Sequence, residues 1–488
     1  MPKLTRRSFL RTTGAAALAM PIASACAIPT RRAFGANERI RIAIAGVRSR
    51  GLDHLRGFAA LQNVEVVALC DVDAGVLAKA AEGFAKDGRS VETCADVRRL
   101  LDRKDIDAIS IATPNHWHSL MGIWACRAGK DVYVEKPISH NIWEGGQLVE
   151  AARKYRRIVQ TGTQCRSSTG IAEAIAWLRE GHLGRITAVH GLCYKPRQSI
   201  GKVAGEQPIP AGIDYDLWCG PVEQRPLRRK NLHYDWHWDF HTGDGDLGNQ
   251  GIHQMDIARW VLGEPDLARR VLAIGGRVGY ADDADTPNTL MAWFDYPTAP
   301  LVFEVRGLPK DKASQGKDWG KSMDRYFGAG IGVVVHCEGG HVRIPDYTSA
   351  IAFDKDGKEL RKWRGANDHY GNFVAAMRSG NRGDLAADVR EGHVSSALCH
   401  MGNVSWQLGT AQDPASAERA VAGRAAAADA TQRMLAHLQA NEVDLQATPL
   451  RVGRLLELDP ATERFADADA QRLAKGASRE AFRVPERV

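Results

Sequence analysis

Strand-like and helix-like segments alternate between Arg39 and about Thr163, and this alternation constrains the fold more than any other feature of the sequence. Short β-branched runs lie at 40–45, 64–70, 108–112, 132–134 and 158–160. Helix-like stretches lie at 52–61, 74–86, 95–103, 116–129 and 142–156. Because strands joined through helices of this length run parallel, the pattern predicts an α/β fold with a doubly wound parallel sheet.

The alternation of strand-like and helix-like runs ends near Arg185. Strand-like runs follow one another with few helices between them, at 186–194, 268–279, 289–295, 301–306, 331–338, 341–344 and 350–353. This succession predicts an open, mainly antiparallel sheet. Further helices are predicted at 249–262, 368–379, 389–408 and 415–440. In the tail from 450 to 488, the spacing of Phe465, Phe482 and Val484 predicts packing against the body of the protein.

The first 36 residues have the features of an export signal. Residues 5–11 read Thr-Arg-Arg-Ser-Phe-Leu-Arg, and a small apolar run at 14–22 follows. Twin arginines before Phe-Leu are typical of the Tat pathway, which predicts cleavage near residues 35–36 and a periplasmic protein. The apolar run is too short to span a bilayer, so we expect no membrane association after cleavage. Lipid attachment at Cys26 is the alternative.

The charge of the chain indicates a small-molecule partner. Six basic residues lie in the leader, which has no acidic residue, so removing them from the net charge of +7 leaves about +1. No basic stripe or polybasic cluster remains that would bind nucleic acid or an anionic membrane.

A turn between the first strand and the first helix has the pattern of a dinucleotide-binding site. Residues 46–51 read Gly-Val-Arg-Ser-Arg-Gly, with Arg48 where a Rossmann turn usually has its middle glycine. Asp71 follows twenty residues later, where an acid binds the ribose hydroxyls and repels a 2′-phosphate, which favours NAD over NADP. Capping of the next helix is the alternative role of Asp71. The predicted cofactor-binding residues here are Gly46, Arg48, Ser49, Arg50, Gly51 and Asp71.

The segment Thr113-Pro114-Asn115-His116 follows the strand at 108–112, and Glu135-Lys136-Pro137 follows the strand at 132–134. Ligands of open α/β sheets bind at this edge, so Thr113, Pro114, Asn115, His116, Glu135 and Lys136 join the predicted cofactor-binding residues. The two motifs together resemble the Gfo/Idh/MocA family of oxidoreductases, from about Arg39 to the end. The resemblance implies a Rossmann domain at 37–163 after a leader at 1–36. It also implies an α/β domain at 164–488 whose open sheet forms a homo-oligomer, and it places Lys136 beside nicotinamide and substrate.

A second family signature lies in the Gly-rich segment 245–256. His253 matches the catalytic histidine of the family, and Asp256 matches the helix acid that follows it. The family typically has an aspartate four residues before this histidine, whereas this chain has Asn249. Either Lys136 and His253 suffice for catalysis, or a nearby acid supplies the charge, the candidates being Asp239, Asp244 and Asp246.

These groups suit the oxidation of an alcohol. Hydride goes to nicotinamide, while a lysine whose pKa is lowered by burial and by the positive ring accepts the proton. We therefore predict Lys136 and His253 as catalytic residues, with His253 holding or shuttling the hydroxyl proton. The rings of the segment 231–241 suit the apolar faces of a sugar, although packing over the sheet would equally explain them. The predicted substrate residues are Arg166, Tyr194, His237, Trp238, Asn249, His253 and Asp256.

No metal site is predicted. Nine cysteines are scattered without a Cys-x-x-Cys pair, and we expect them to be small buried side chains. The alternation His237-x-Asp239-x-His241 does not complete a metal site by itself.

Three functions remain open from the sequence. The first is a periplasmic NAD-dependent oxidoreductase that acts on a sugar, polyol or glycoside with a tightly held cofactor. The second, implied by some members of the superfamily, is a glycosidase that oxidises a ring hydroxyl transiently, with no net redox change. The third is a noncatalytic sugar-binding protein of the same fold.

Overall fold

The computed structural model describes residues 34–35, 38–316 and 319–488. The predicted export signal and Cys26 therefore lie outside the described residues. No helix in the described ranges combines the length and the apolar character needed to cross a membrane.

The first sheet is parallel and confirms the predicted fold class. Its strands are β1 (Ile40–Ala45), β2 (Val64–Cys70), β3 (Glu92–Cys94), β4 (Ala108–Ile111), β5 (Asp131–Val134) and β6 (Val159–Thr161), in the order β3-β2-β1-β4-β5-β6. The sequence pattern did not predict β3. This edge strand has only three residues, Glu-Thr-Cys, and only the last of them is buried.

Five helices accompany this sheet: α1 (Arg50–Ala59), α2 (Ala74–Lys86), α3 (Arg98–Leu101), α4 (His118–Arg127) and α5 (Ile142–Lys154). Asp73 caps α2, because its carboxylate accepts the N–H groups of Gly75 and Val76 at 2.8 and 3.0 Å. The helix predicted at 95–103 is only the single turn α3. Asp71 is therefore not the cap of α2 and remains at the end of β2.

The second sheet is mainly antiparallel, as predicted. Its principal strands are β7 (Ile186–Tyr194), β8 (Arg270–Gly276), β9 (Thr289–Phe294), β10 (Leu301–Arg306), β11 (Ile331–Cys337), β12 (Gly340–Ile344), β13 (Ser349–Asp354) and β14 (Glu359–Arg364). The pair β7–β10 is parallel. Short strands complete it at β15 (Thr410–Gln412), β16 (Leu450–Val452), β17 (Leu456–Asp459) and β18 (Arg464–Phe465).

Nine further helices are described: α6 (Thr169–Arg179), α7 (Tyr215–Cys219), α8 (Gly245–Asn249), α9 (Gly251–Leu262), α10 (His369–Ser379), α11 (Val389–Gln407), α12 (Pro414–Ala420), α13 (Ala425–Ala440) and α14 (Ala468–Lys475). Helices α9 and α11 bury one face of the second sheet. The single helix predicted at 415–440 is wrong, because the chain breaks into α12 and α13 around Gly423, whose φ is +79°.

Helix α13 covers part of the other face of the second sheet. Met434 and Leu438 of α13 pack with Met291 and Trp293 of β9 and with Val302 of β10 in one apolar cluster. This part of the sheet is therefore occupied by the chain's own helix. Oligomerisation through the rest of the sheet stays a prediction.

Late segments of the chain return to the first sheet. Phe373 and Met377 of α10 share a core cluster with Phe58 and Tyr133. The tail packs back on the body as predicted, since Phe465, Phe482 and Val484 are all buried. The ring of Phe482 lies 5.5 Å from that of Trp117, measured between ring centroids.

Candidate active site

A cavity of about 400 Å³ opens at the carboxyl edge of the first sheet, where segments of the second domain face it. Of the predicted residues, it is lined by Gly46, Arg48, Ser49, Arg50, Asp71, Thr113, Pro114, Asn115, Glu135, Lys136, His237, Asn249 and His253. Two motifs far apart in the sequence, at 46–51 and 249–253, therefore share one cavity.

The turn 46–51 requires both of its glycines. Gly46 has φ +78°, and a Cβ at this position would lie 2.6 Å from the Ala112 carbonyl oxygen. A Cβ on Gly51 would lie 1.8 Å from the Gly46 carbonyl oxygen, so Gly51 closes the turn without lining the cavity. Ser49 precedes α1 without making a side-chain cap, which leaves the positive end of this helix without a side-chain acceptor.

The two arginines of this turn differ. Arg48 is exposed at the cavity. Arg50 turns inward, where its Nε donates to Glu135 Oε1 at 2.7 Å, and Glu135 raises the pKa of Arg50.

Asp71 braces the turn from the end of β2. Its carboxylate accepts the N–H of Val47 at 2.9 Å and the N–H of Asp73 at 3.0 Å. Burial raises the pKa of Asp71, although both N–H groups counteract this effect. The acid predicted to bind a ribose therefore also fixes the backbone of the turn.

The loop after β4 has three residues that line the cavity and one that lies behind them. Thr113, Pro114 and Asn115 line the cavity, whereas His116 is buried behind it, 3.0 Å from the Trp218 carbonyl oxygen. His118 is a site residue that the sequence analysis missed. Its ring lies 2.7 Å from the Thr113 carbonyl oxygen and 2.6 Å from that of Pro137, so it joins the two loops of the cavity.

Glu135 is a buried carboxylate that organises the neighbouring charges. Its carboxylate accepts a hydrogen bond from Arg50 Nε, and His54 Nε2 lies 3.0 Å from Glu135 Oε1. Burial would raise the pKa of Glu135, but Arg50 and His54 hold it well below its usual range. Glu135 is therefore ionised and placed next to Lys136.

Lys136 reaches across the cavity to the second domain. Its Nζ donates to the backbone carbonyl of Asn249 at 2.7 Å. Burial lowers the pKa of Lys136, with Glu135 opposing and Arg50 adding to the effect. This amine is held in place by a neutral acceptor.

His253 lies on α9 and lines the same cavity. Its Nδ1 is buried and has no hydrogen-bond partner among the described residues. Burial and the charge of Lys136 lower the pKa of His253 well below its usual range, so the imidazole is neutral at ordinary pH. Two other buried cavity atoms, Thr113 Oγ1 and Gln164 Oε1, likewise lack a partner among the described residues. Such unpaired atoms indicate a site built for a polar ligand.

The three acids considered as substitutes for the missing aspartate have different roles. Asp246 receives two hydrogen bonds from Arg197, both 2.7 Å long, and its charge raises the pKa of Lys136. Asp244 accepts the Asn115 side-chain amide at 2.7 Å. Asp239 pairs with Arg229 at 3.3 Å. Asp246 is thus the acid of the three that acts on Lys136.

Four predicted substrate residues do not line the cavity: Arg166, Tyr194, Trp238 and Asp256. Arg166 and Asp256 form a buried ion pair at 2.8 Å. The Tyr194 hydroxyl donates to Glu304 at 2.8 Å, and Trp238 is buried 4.7 Å from the Arg197 guanidinium. The carboxylate of Asp256 and the hydroxyl of Tyr194 are thus paired with other residues of the protein.

Residues 213–237, called the cover segment below, lie over the side of the cavity next to Asp73. The cover segment contributes Leu217, Trp218, His233, Tyr234 and Trp236 to the lining; the last three belong to the ring-rich segment 231–241 singled out in the sequence, whereas Leu217 and Trp218 were not predicted. His233 Nε2 lies 2.8 Å from Asp73 Oδ2, and Ile213 forms a β-bridge with Asp73. The density of rings at 231–241 was the available signal. His237 stacks on Trp236 at 3.7 Å, and burial lowers the pKa of His237 to about 3.

No group of three or more His, Cys, Asp or Glu side chains is arranged to hold a metal ion in the described part of the chain.

Family models match the first domain and part of the second. Residues 40–163 match the Gfo/Idh/MocA model of the oxidoreductase family with the NAD-binding Rossmann fold. Residues 181–287 match the model for the C-terminal α/β domain of this oxidoreductase family. The first domain is therefore an NAD-binding Rossmann domain, and the prediction of NAD as cofactor is confirmed.

Curated relatives match over part of their length. A glycosyl hydrolase family 109 protein of Shewanella pealeana is 32% identical over 174 residues, which cover 32% of this chain and 38% of that protein. The alpha-N-acetylgalactosaminidase of Shewanella oneidensis is 30% identical over 177 residues, covering 32% and 39%. The chain thus spans less than half the length of the curated relatives it matches.

Solved structures share the fold over most of this chain. The WlbA dehydrogenase from Bordetella pertussis, in complex with NADH and UDP-GlcNAcA, has a TM-score of 0.54 at 19% identity and covers 75% of this chain and 95% of its own. A levoglucosan dehydrogenase, in complex with NADH and levoglucosan, has a TM-score of 0.56 at 16% identity and covers 75% and 96%.

Proposed function

We propose that this chain, which carries the NAD-binding and C-terminal domains of the Gfo/Idh/MocA oxidoreductase family, oxidises a hydroxyl of a sugar, polyol or glycoside. The observation that carries the proposal is that Lys136 and His253 line one cavity with the turn 46–51. The sugar ligands of two structural neighbours support the substrate class.

The residues of the cavity fit a dinucleotide. The glycine turn and the positive end of α1 would hold the pyrophosphate, with Arg48 exposed beside them. Asp71 would hold the ribose hydroxyls. The unpaired Thr113 Oγ1 and Gln164 Oε1 offer partners to polar groups farther along the cavity. NAD supplies the hydride acceptor when it is bound.

Lys136 is the proton acceptor in this proposal. Its lowered pKa makes the neutral amine accessible, and the Asn249 carbonyl fixes the position of Nζ. The neutral amine takes the hydroxyl proton as the carbon gives up its hydride. His253, whose imidazole is neutral, orients the hydroxyl by hydrogen bonding.

The test begins with the folded chain as purified. We expect a stoichiometric dinucleotide, detectable by mass spectrometry after denaturation, because the covered cavity would hold it tightly. Addition of the correct sugar then produces an absorbing reduced cofactor. A protein that carries no dinucleotide and shows no dinucleotide binding by calorimetry would contradict the proposal.

A second function is favoured by the curated relatives, which include a glycosyl hydrolase family 109 protein and an alpha-N-acetylgalactosaminidase. In this version the ring hydroxyl is oxidised only transiently, the aglycone is eliminated, water adds, and the hydride returns to the sugar. Release of the aglycone from an aryl glycoside without added acceptor and without accumulated NADH supports this version. Stoichiometric NADH supports simple dehydrogenation.

A noncatalytic sugar-binding role is the third candidate. It requires that a Lys136→Ala variant keep ligand affinity while neither variant nor wild type turns over any sugar or glycoside.

We also propose export to the periplasm by the Tat route, on the basis of Arg6 and Arg7. Cell fractionation of an R6K/R7K variant tests it: the variant stays in the cytoplasm, whereas the unaltered chain is recovered from the periplasm.

A further inference from the structure

Two cysteines face each other at the edge of the first sheet. Cys70 and Cys94 are opposite residues at the carboxyl end of the β2–β3 ladder, and β3 is the edge strand. Neighbouring strands lie about 4.8 Å apart, inside the roughly 4.4–6.8 Å Cα spacing that a disulfide bridges. The pair therefore needs little backbone movement to be linked.

The two thiols point to the same side of the sheet. Both belong to the core cluster that contains Val97 and Trp117. The Cys70 thiol donates to the Ala95 carbonyl at 3.5 Å, and the Cys94 thiol to the Asp96 carbonyl at 3.4 Å. The proximity of the Cys70 thiol lowers the pKa of Cys94.

Cys70 and the residues that directly follow Cys94 form part of the wall of the cavity that we propose for the dinucleotide. Cys70 lines the cavity next to Asp71, and Ala95, Asp96 and Val97 line it on the β3 side. A change at the pair is therefore transmitted to the place where the adenosine half of the dinucleotide would lie.

We propose that Cys70 and Cys94 are a modification site, which hydrogen peroxide converts to a disulfide that weakens dinucleotide binding. The Cys94 sulfur attacks one peroxide oxygen, the O–O bond breaks, and Cys94 becomes a sulfenic acid as water leaves. The Cys70 sulfur then attacks the Cys94 sulfur, the S–O bond breaks, and a second water leaves with the Cys70 proton. Two thiols are oxidised, and one peroxide is reduced to two waters.

Formation of the disulfide removes the two S–H groups that donate to the loop at 95–97, and it draws β3 toward β2. The Ala95 and Asp96 carbonyls lose their donors, and the cavity narrows beside Asp71. We expect dinucleotide affinity to fall on the order of tenfold, the effect of one lost hydrogen-bonded contact at the ligand. Bound dinucleotide, in turn, should slow the oxidation by occupying the cavity.

The experiment uses the full chain, freed of dinucleotide and treated with hydrogen peroxide. Intact mass is expected to fall by two hydrogen atoms, and peptide mapping should join Cys70 to Cys94. A C126S variant, which removes a buried cysteine of α4 instead, should behave in the same way, whereas C70S and C94S should not link. A thiol reductant should restore both mass and affinity.

Absence of the 70–94 linkage, or an unchanged dinucleotide affinity after complete linkage, would overturn the proposal. The linkage does not depend on the proposed function, whereas its effect on affinity relies on the dinucleotide site. A chain that links and loses affinity but oxidises no sugar would refute the proposed function alone.

Discussion

The two ends of the cavity are built differently. At the turn end, defined by residues 46–51 and Asp71, the backbone dictates the shape and the Asp71 carboxylate accepts two backbone N–H groups. At the end where we propose proton transfer, called the proton-transfer end and defined by Lys136, Asn249 and His253, burial lowers the pKa values of Lys136 and His253, and His253 Nδ1 has no hydrogen-bond partner among the described residues. The comparison teaches that hydrogen bonds of the Asp71 carboxylate fix the backbone at one end of the cavity, whereas the other end keeps a buried nitrogen that has no partner in the described part of the chain.

The largest effect is expected when the Lys136 amine is removed, because this change should affect turnover and leave dinucleotide binding intact. Lys136→Ala should lower turnover about 100-fold or more, the usual contribution of a general base, because no other group of the proton-transfer end replaces Nζ. Dinucleotide affinity, measured by calorimetry, should change little. Lys104→Ala, which removes an exposed lysine, serves as the control. A full loss of dinucleotide binding in the Lys136 variant would refute the separation of roles.

The pH profile tests the proton-transfer end without a mutation. Turnover should rise about tenfold per pH unit and level off once the Lys136 amine is deprotonated, because the base must be neutral to accept a proton. The inflection should lie below the ordinary lysine pKa, since burial lowers the pKa of Lys136. The neutral His253 should add no inflection between pH 6 and 7. A turnover rate that falls as the pH rises toward the inflection would refute the assignment of Lys136 as the base.

Changing the charge of the turn end should affect binding and leave chemistry intact. Asp71→Asn keeps an acceptor for the Val47 N–H but removes the charge. We expect about tenfold weaker NAD binding and a smaller preference over NADP, with turnover at saturating NAD unchanged. Calorimetry with both dinucleotides measures the effect, and Asp87→Asn at an exposed ion pair is the control. An unaltered preference would show that Asp71 acts only on the backbone.

The smallest effect is expected at the cover segment. His233→Ala removes the contact with Asp73, which is partly exposed to solvent, so dinucleotide dissociation should accelerate only about threefold. Stopped-flow fluorescence follows the dissociation, and His182→Ala, at an exposed pair with Glu180, is the control. Dissociation at an unchanged rate would mean that the segment covers the cavity without retaining its ligand.

The sequence predicted best where one local rule governs the outcome. The bounds of β1, β2 and α2 follow from hydrophobic periodicity, and Gly46 and Gly51 follow from backbone geometry. The part of the cover segment around Trp218 was missed because Trp218 gains its place only through contacts with residues distant in sequence, such as His116. Arg166 and Asp256 were expected to bind substrate. Sequence separation of 90 residues concealed that they pair with each other.

The return of residues 369–389 and 480–488 to the first sheet has a consequence for how the protein is made. Phe58, Tyr133 and Trp117 belong to the first third of the chain, yet their partners Phe373 and Phe482 leave the ribosome much later. The first sheet can therefore complete its apolar core only near the end of synthesis. A fragment that ends at residue 163 would leave the apolar side chains that contact Phe373 and Phe482 exposed to water. Any cofactor loading has to wait for the same moment.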